Sequence, residues 1–114
     1  MRVRDVFSAA DEINTLVGTA AALFRVPVED LLSHRRGQRA VDARHCVALC
    51  LRYRGLSLPK IGRVLDRDHT TIRYAIGRVE DDPILWALAM SVHRQTHEYA
   101  IAYVNGVVGA REAV

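Results

Sequence analysis

The chain is 114 residues long, half of them apolar and a quarter charged, which is the composition of one folded domain and excludes a disordered segment. Sixteen basic residues against 13 acidic ones give a formal net charge of +3, and two cysteines are too few for a disulfide framework. The longest uncharged stretches, 13–24 and 99–110, are 12 residues each, short of the roughly 20 a helix needs to span a bilayer. Asp5, Asp11 and Glu12 interrupt any signal-peptide core, and the terminal Arg-Glu-Ala-Val is no lipidation motif, so a cytoplasmic location without membrane attachment is expected.

In chain order, Ile13, Leu16, Val17, Ala20, Leu23 and Phe24 follow the i, i+3, i+4, i+7 spacing of an amphipathic helix, with Ser8 as its N-cap and Asp11 completing a capping box. Val28–Leu32 reads as a short second helix after Pro27, with Glu29 and Asp30 at its positive end. Residues 33–39 form a basic loop holding Arg35, Arg36, Arg39 and one glycine. A buried helix is predicted over 41–53, through Cys46, Val47, Leu49, Cys50 and Tyr53, and stopped by Gly55. Ser57-Leu58-Pro59 starts the next helix, since proline is tolerated in a first turn, and Ile61, Val64 and Leu65 are its apolar side. After Asp66-Arg67, Asp68 is placed to cap a helix over 69–79 with Ile72, Ala75, Ile76 and Val79 inward. Two short helices joined by a brief turn match a helix-turn-helix, although this turn lacks the glycine often found there. Asp82-Pro83 starts a last helix over 84–104, with Leu85, Leu88, Ala89, Val92, Tyr99 and Tyr103 as contacts and Gly106 and Gly109 as its end. No segment reads as a strand: the expected class is all-α, a six-helix bundle containing a helix-turn-helix and a long C-terminal helix.

Charge is unevenly placed. Residues 25–78 carry 12 basic residues against 5 acidic ones, while the flanks carry 4 against 8. A basic segment inside a folding sequence points to a polyanionic partner. Fifteen of the 16 basic residues are arginine, a skew that suits planar, bidentate contacts, although genome composition alone also produces it. At the start of the recognition helix, Asp68, His69, Thr70 and Thr71 offer a carboxylate for a cytosine amine, a ring nitrogen, hydroxyls, and methyls that pack on thymine. An arginine on the basic loop suits a narrow minor groove. Arg44, Lys60, Arg63, Arg67 and Arg73 flank the motif and suit phosphate.

Three stretches in order, Val28 to Arg36, Ser57-Leu58-Pro59-Lys60-Ile61-Gly62 and Arg67-Asp68-His69-Thr70-Thr71-Ile72, resemble landmarks of the C-terminal DNA-binding domain (domain IV) of the bacterial replication initiator DnaA. The likeness covers about residues 8–82, leaving 83–105 as a helix that packs on this domain or forms a dimer interface. It implies a fold related to the Trp-repressor helix-turn-helix and binding of double-stranded DNA at short A/T-rich DnaA boxes, hence nucleoid association. It implies base contacts from Arg36, Pro59, Asp68, His69, Thr70 and Thr71. Backbone contacts are expected from Arg35, Arg39, Arg44, Lys60, Arg63, Arg67 and Arg73. One departure stands out: where the family commonly has Arg-Pro-Arg-Gln, this chain has Asp42-Ala43-Arg44-His45, which puts part of the phosphate clamp in question. Only about seven residues precede the first helix, so an ATPase domain is not expected, and a phage or mobile-element copy acting in replication control without ATP is one reading.

Competing readings are a dimeric transcriptional regulator at a palindrome and a protein-interaction module, carried by Trp86, Met90, Tyr99 and Tyr103, that interferes with a host initiator. A zinc site from His45, Cys46, Cys50, His93 and His97 is disfavoured, because both cysteines lie on an apolar stripe where cysteine is a common small hydrophobe. No Gly-Lys-[Ser/Thr] phosphate loop is present, and no nucleophile, base and orienter appear as a set, so no enzyme, metal or cofactor is expected.

Overall fold

A computed structural model describes residues 9–112, with side chains described for 10–97. Six helices are found among them: α1 Ala9–Phe24, α2 Val28–Leu32, α3 Gln38–Tyr53, α4 Leu58–Leu65, α5 His69–Asp81 and α6 Pro83–Glu112. The described residues contain no strand, and none of their helices is long and apolar enough to cross a membrane. The architecture is an all-α bundle around a helix-turn-helix made of α4 and α5.

α3 is the axis of the fold. Nine of its residues are buried, on more than one face, as befits a helix that other helices surround. It packs against α1, α2, α4, α5 and α6. Leu16 and Ala20 of α1, Leu49 and Cys50 of α3, Ile72 of α5 and Val92 of α6 meet in one core. Truncating a side chain such as Leu49 to alanine there costs roughly 2–5 kcal/mol. Cys46 and Cys50 belong to this core: their Sγ atoms donate to the carbonyls of Leu85 and Ala89 at 3.6 and 3.3 Å, and burial pushes both thiols up to about 12. Beside them Arg54, just past α3, ties α1 to α6 through Glu12 and Thr96.

Three helix ends close the same way. After α1, Arg25 is left-handed (φ 56°), Val26 N–H reaches the carbonyl of Ala21 at 2.9 Å, and Arg25 N–H reaches that of Ala22 at 3.2 Å. After α3, Gly55 (φ 91°) repeats the pattern, with Leu56 N–H on Leu51 and Gly55 N–H on Arg52. After α4, Asp66 (φ 54°) is the left-handed residue, and its own N–H and that of Arg67 both reach the carbonyl of Gly62, the latter at 2.8 Å. These are Schellman closures, which satisfy the orphan carbonyls of a helix end through one left-handed residue. The helix-turn-helix therefore needs no glycine in its turn, because aspartate tolerates the left-handed region.

Two boundaries differ from expectation. α3 starts at Gln38, three residues early, so the free loop is only 33–37. α6 runs through Gly106 and Gly109 to Glu112. A glycine ends a helix only when the chain turns left-handed there, and neither glycine has a proline or competing cap after it. A 30-residue helix spans about 45 Å, which only the 51 Å axis of a molecule measuring 51 × 26 × 25 Å can contain. Ser8 lies outside the described residues, as do the side chains of Tyr99 and Tyr103.

Candidate nucleic-acid interface

The sequence builds the recognition end from local caps. Ser57 Oγ accepts from Lys60 N–H at 3.3 Å and starts α4, with Leu58 and Pro59 in its first turn. Asp68 Oδ1 accepts from Thr71 N–H at 2.9 Å and starts α5. That backbone hydrogen bond holds the Asp68 carboxyl below its ordinary range, so it is an anion at neutral pH. His69, Thr70 and Thr71 follow, all exposed, on the first turn of α5.

Gly62 sets how closely the two helices approach. A Cβ built there would stand 2.3 Å from the carbonyl oxygen of Arg67, so only glycine lets the turn cross α4 at this distance. Pro59, Arg63, Asp66 and His69 rim the shallow depression above this crossing.

The basic loop is fastened to the same turn. Arg44 is 6% exposed. Its Nε donates to the carbonyl of Leu31 at 2.8 Å, and its Nη2 lies 3.2, 2.8 and 3.1 Å from the carbonyls of Asp30, Ser33 and Arg35. Arg67 donates through Nη1 to Leu65 and Asp66 and through Nη2 to Ser33 at 2.9 Å. Outside this clasp, His34 Nε2 meets Asp66 Oδ2 at 3.1 Å. Loop and turn form one surface from residues that are more than 30 apart in the chain.

Pro59, Asp68, His69, Thr70 and Thr71 share this surface with Lys60, Arg63 and Arg73, all exposed. Arg36 and Arg39 are exposed on and just after the loop, and Arg35 pairs with Asp30 at 3.3 Å. The side chains of Arg36, Arg39, Lys60, Arg63 and Arg73 make no hydrogen bond or ion pair among the described residues. Arg44, expected among the phosphate contacts, is buried, and its Nε and Nη2 are committed to carbonyls. Arg67 is half-buried and turned inward in the same manner. A signal for the burial of Arg44 was present in the sequence, since it shares a helix face with Ala40, Ala43, Val47 and Ala48, all buried.

The departing residues Asp42 and His45 also turn inward. Arg78 Nη1 pairs with Asp42 Oδ1 at 2.8 Å and donates to His45 Nδ1 at 3.0 Å, and Gln38 Nε2 donates to Asp42 at 2.7 Å. Burial first, then Arg78 and Arg44, lowers His45 to about 4. His45 is thus neutral at pH 7, and because Nδ1 accepts from Arg78, its proton is on Nε2. No group of three His, Cys, Asp or Glu side chains among the described residues is arranged to hold a metal.

Two short helices joined by a tight turn, the second capped and exposed at its start, define a helix-turn-helix protein. The family model described as the bacterial DnaA protein helix-turn-helix matches residues 13–79, more than half of the chain, and the protein belongs to this family. Similar relatives are the chromosomal replication initiator proteins DnaA of Gloeobacter violaceus (44% identical over 62 residues), Clavibacter sepedonicus (38% over 68) and Mycobacteroides abscessus (34% over 85). These matches cover 53%, 58% and 70% of this chain, and it spans 14–17% of the length of those relatives.

Proposed function

We propose that this chain reads duplex DNA at short A/T-rich sites of the DnaA-box type and acts in replication control by occupying them. The observation that carries the reading is the joining of the basic loop to the helix-turn-helix turn by hydrogen bonds on Ser33. Asp68 to Thr71 open α5 toward the major groove, while Arg36 stands on a loop fastened to the same turn through Ser33. The first turn of a recognition helix meets base edges. An arginine on a neighbouring loop suits the electronegative minor groove of A/T-rich duplex. Arg35, Arg39, Lys60, Arg63 and Arg73 neutralise phosphates on either side, which positions the protein without specifying sequence.

Site occupancy in this reading rests on contacts made by these helices alone, so nucleotide has no part in it. Fluorescence anisotropy on a DnaA-box duplex and on a scrambled duplex of the same composition, each with and without ATP, tests it. Tighter binding to the box, unchanged by ATP, is expected. Equal binding to both duplexes, or a clear ATP dependence, overturns the reading.

A further inference from the structure

The outward face of α5 holds a large side chain that the contacts above do not use. Tyr74 is 68% exposed, although it sits in the middle of the recognition helix. It follows Thr70 by four residues, so the two share one face about 6 Å apart along the axis. On that face it leans toward α3, where His45 meets its ring edge-on with centroids 6.3 Å apart and planes at 87°. His45 is held in turn by Arg78, and Arg78 by Asp42. The exposed phenol thus has a ring neighbour in His45, which is itself held by Arg78, the partner of Asp42. Beyond it, Gly77 leaves open space bounded by Arg78, Asp81 and Asp82. Those two acidic residues mark where a phosphate strand can no longer run.

We propose that Tyr74 is a further DNA-contacting residue, donating its phenolic hydrogen to a backbone phosphate, and that His45 is the residue that positions it. The proposal rests on the duplex-binding reading above. With the first turn of α5 on the bases, a side chain one turn back on the α3 flank faces the wall of the groove, where hydroxyl donors meet phosphate oxygens. Asp42 and His45 thus leave the interface themselves but supply, through Arg78, the support for a neutral donor in their place.

The phenol is uncharged, and this gives the proposal its own signature. Removing a cationic contact lowers the salt dependence of binding, whereas removing a neutral donor weakens binding with the slope unchanged. The test compares wild type, Y74F, H45A and the double variant on box and scrambled duplexes across a salt series. Y74F is expected to bind both duplexes about tenfold more weakly, the size of one hydrogen bond to a charged acceptor. Its salt slope and Tm should be those of wild type. H45A is expected to weaken binding on its own and to add nothing on top of Y74F. Y74F binding that equals wild type overturns the proposal while the duplex-binding reading stands, and so does a loss confined to the box. A wild type that binds neither duplex overturns both.

Discussion

Arg44 and Arg67 donate to one acceptor, the carbonyl oxygen of Ser33, at 2.8 and 2.9 Å. Two guanidiniums on one carbonyl repel each other, and burial followed by Arg67 lowers Arg44 from its ordinary value. The arrangement persists because α2 is only five residues long and ends with carbonyls that no helical turn satisfies. From α3, Arg44 reaches the Leu31 and Asp30 carbonyls of α2 and those of Ser33 and Arg35 beyond it, adding charge-assisted hydrogen bonds where the next helical turn would have been. The basic loop, α3 and the helix-turn-helix turn are thereby joined by hydrogen bonds.

Arg44→Ala should therefore act on stability before it acts on DNA. Removing the donor to the carbonyls of Leu31 and Arg35, and the packing of a buried side chain, is expected to cost about 2–4 kcal/mol in urea unfolding. Arg44→Lys should recover only a fraction, since an ammonium lacks the planar fork. Unfolding midpoints within error of wild type for both variants would remove Arg44 from this role.

His69→Ala and Thr71→Ala should lower the preference for box over scrambled duplex by roughly 1–3 kcal/mol each. Lys60→Ala should instead weaken both duplexes alike and reduce the salt slope by about one unit. The contrast is the informative result, because equal losses on both duplexes for His69→Ala would move that residue from base contact to backbone contact.

Gly62→Ala and Gly18→Ala make a matched pair. At Gly62 the new methyl meets the carbonyl of Arg67, whereas at Gly18 nothing lies within 4 Å. The first change should destabilise by roughly 1–3 kcal/mol through overpacking. The second should stabilise by about 0.5–1 kcal/mol, as alanine does in a helix interior. Thermal melts of the two proteins should shift in opposite directions. A Gly62→Ala protein with wild-type Tm would show that the crossing of α4 and the turn can open without penalty.

The depressed pKa of His45 has a direct consequence for acid stability. Above the ordinary value of 6.5 the imidazole is neutral in the folded and unfolded states alike, and its contribution is constant. Between 6.5 and about 4 the unfolded chain takes up a proton that the folded protein refuses, so stability falls as pH drops. His45→Gln keeps an acceptor for Arg78 and should flatten this limb when ΔG of unfolding is measured from pH 7 to pH 4. A limb of unchanged slope would assign the acid sensitivity to other groups.

What the sequence revealed and what it hid follow from the range of each interaction. Asp68 and Asp82 were readable as caps because each bonds an amide two or three residues away, and both bonds are present. The core stripes were readable because 3.6-residue periodicity is local. The destination of Arg44 was not, because its carbonyl partners are nine to 14 residues away in a different segment. The role of Asp42 and His45 was hidden for the same reason, since Arg78 lies 33 residues from His45. A missing glycine in the turn was legible as a departure, but its resolution was not. It needed a left-handed Asp66 and a glycine placed inside α4 in place of one in the turn.

Selection of bound duplexes from a random pool, carried through several rounds and sequenced, tests the central claim most directly. Recovery of short, non-palindromic A/T-rich sites of the DnaA-box type is expected, with enrichment lost when Thr71 and His69 are both replaced by alanine. Recovery of an unrelated palindrome, or no enrichment over the starting pool, would contradict it.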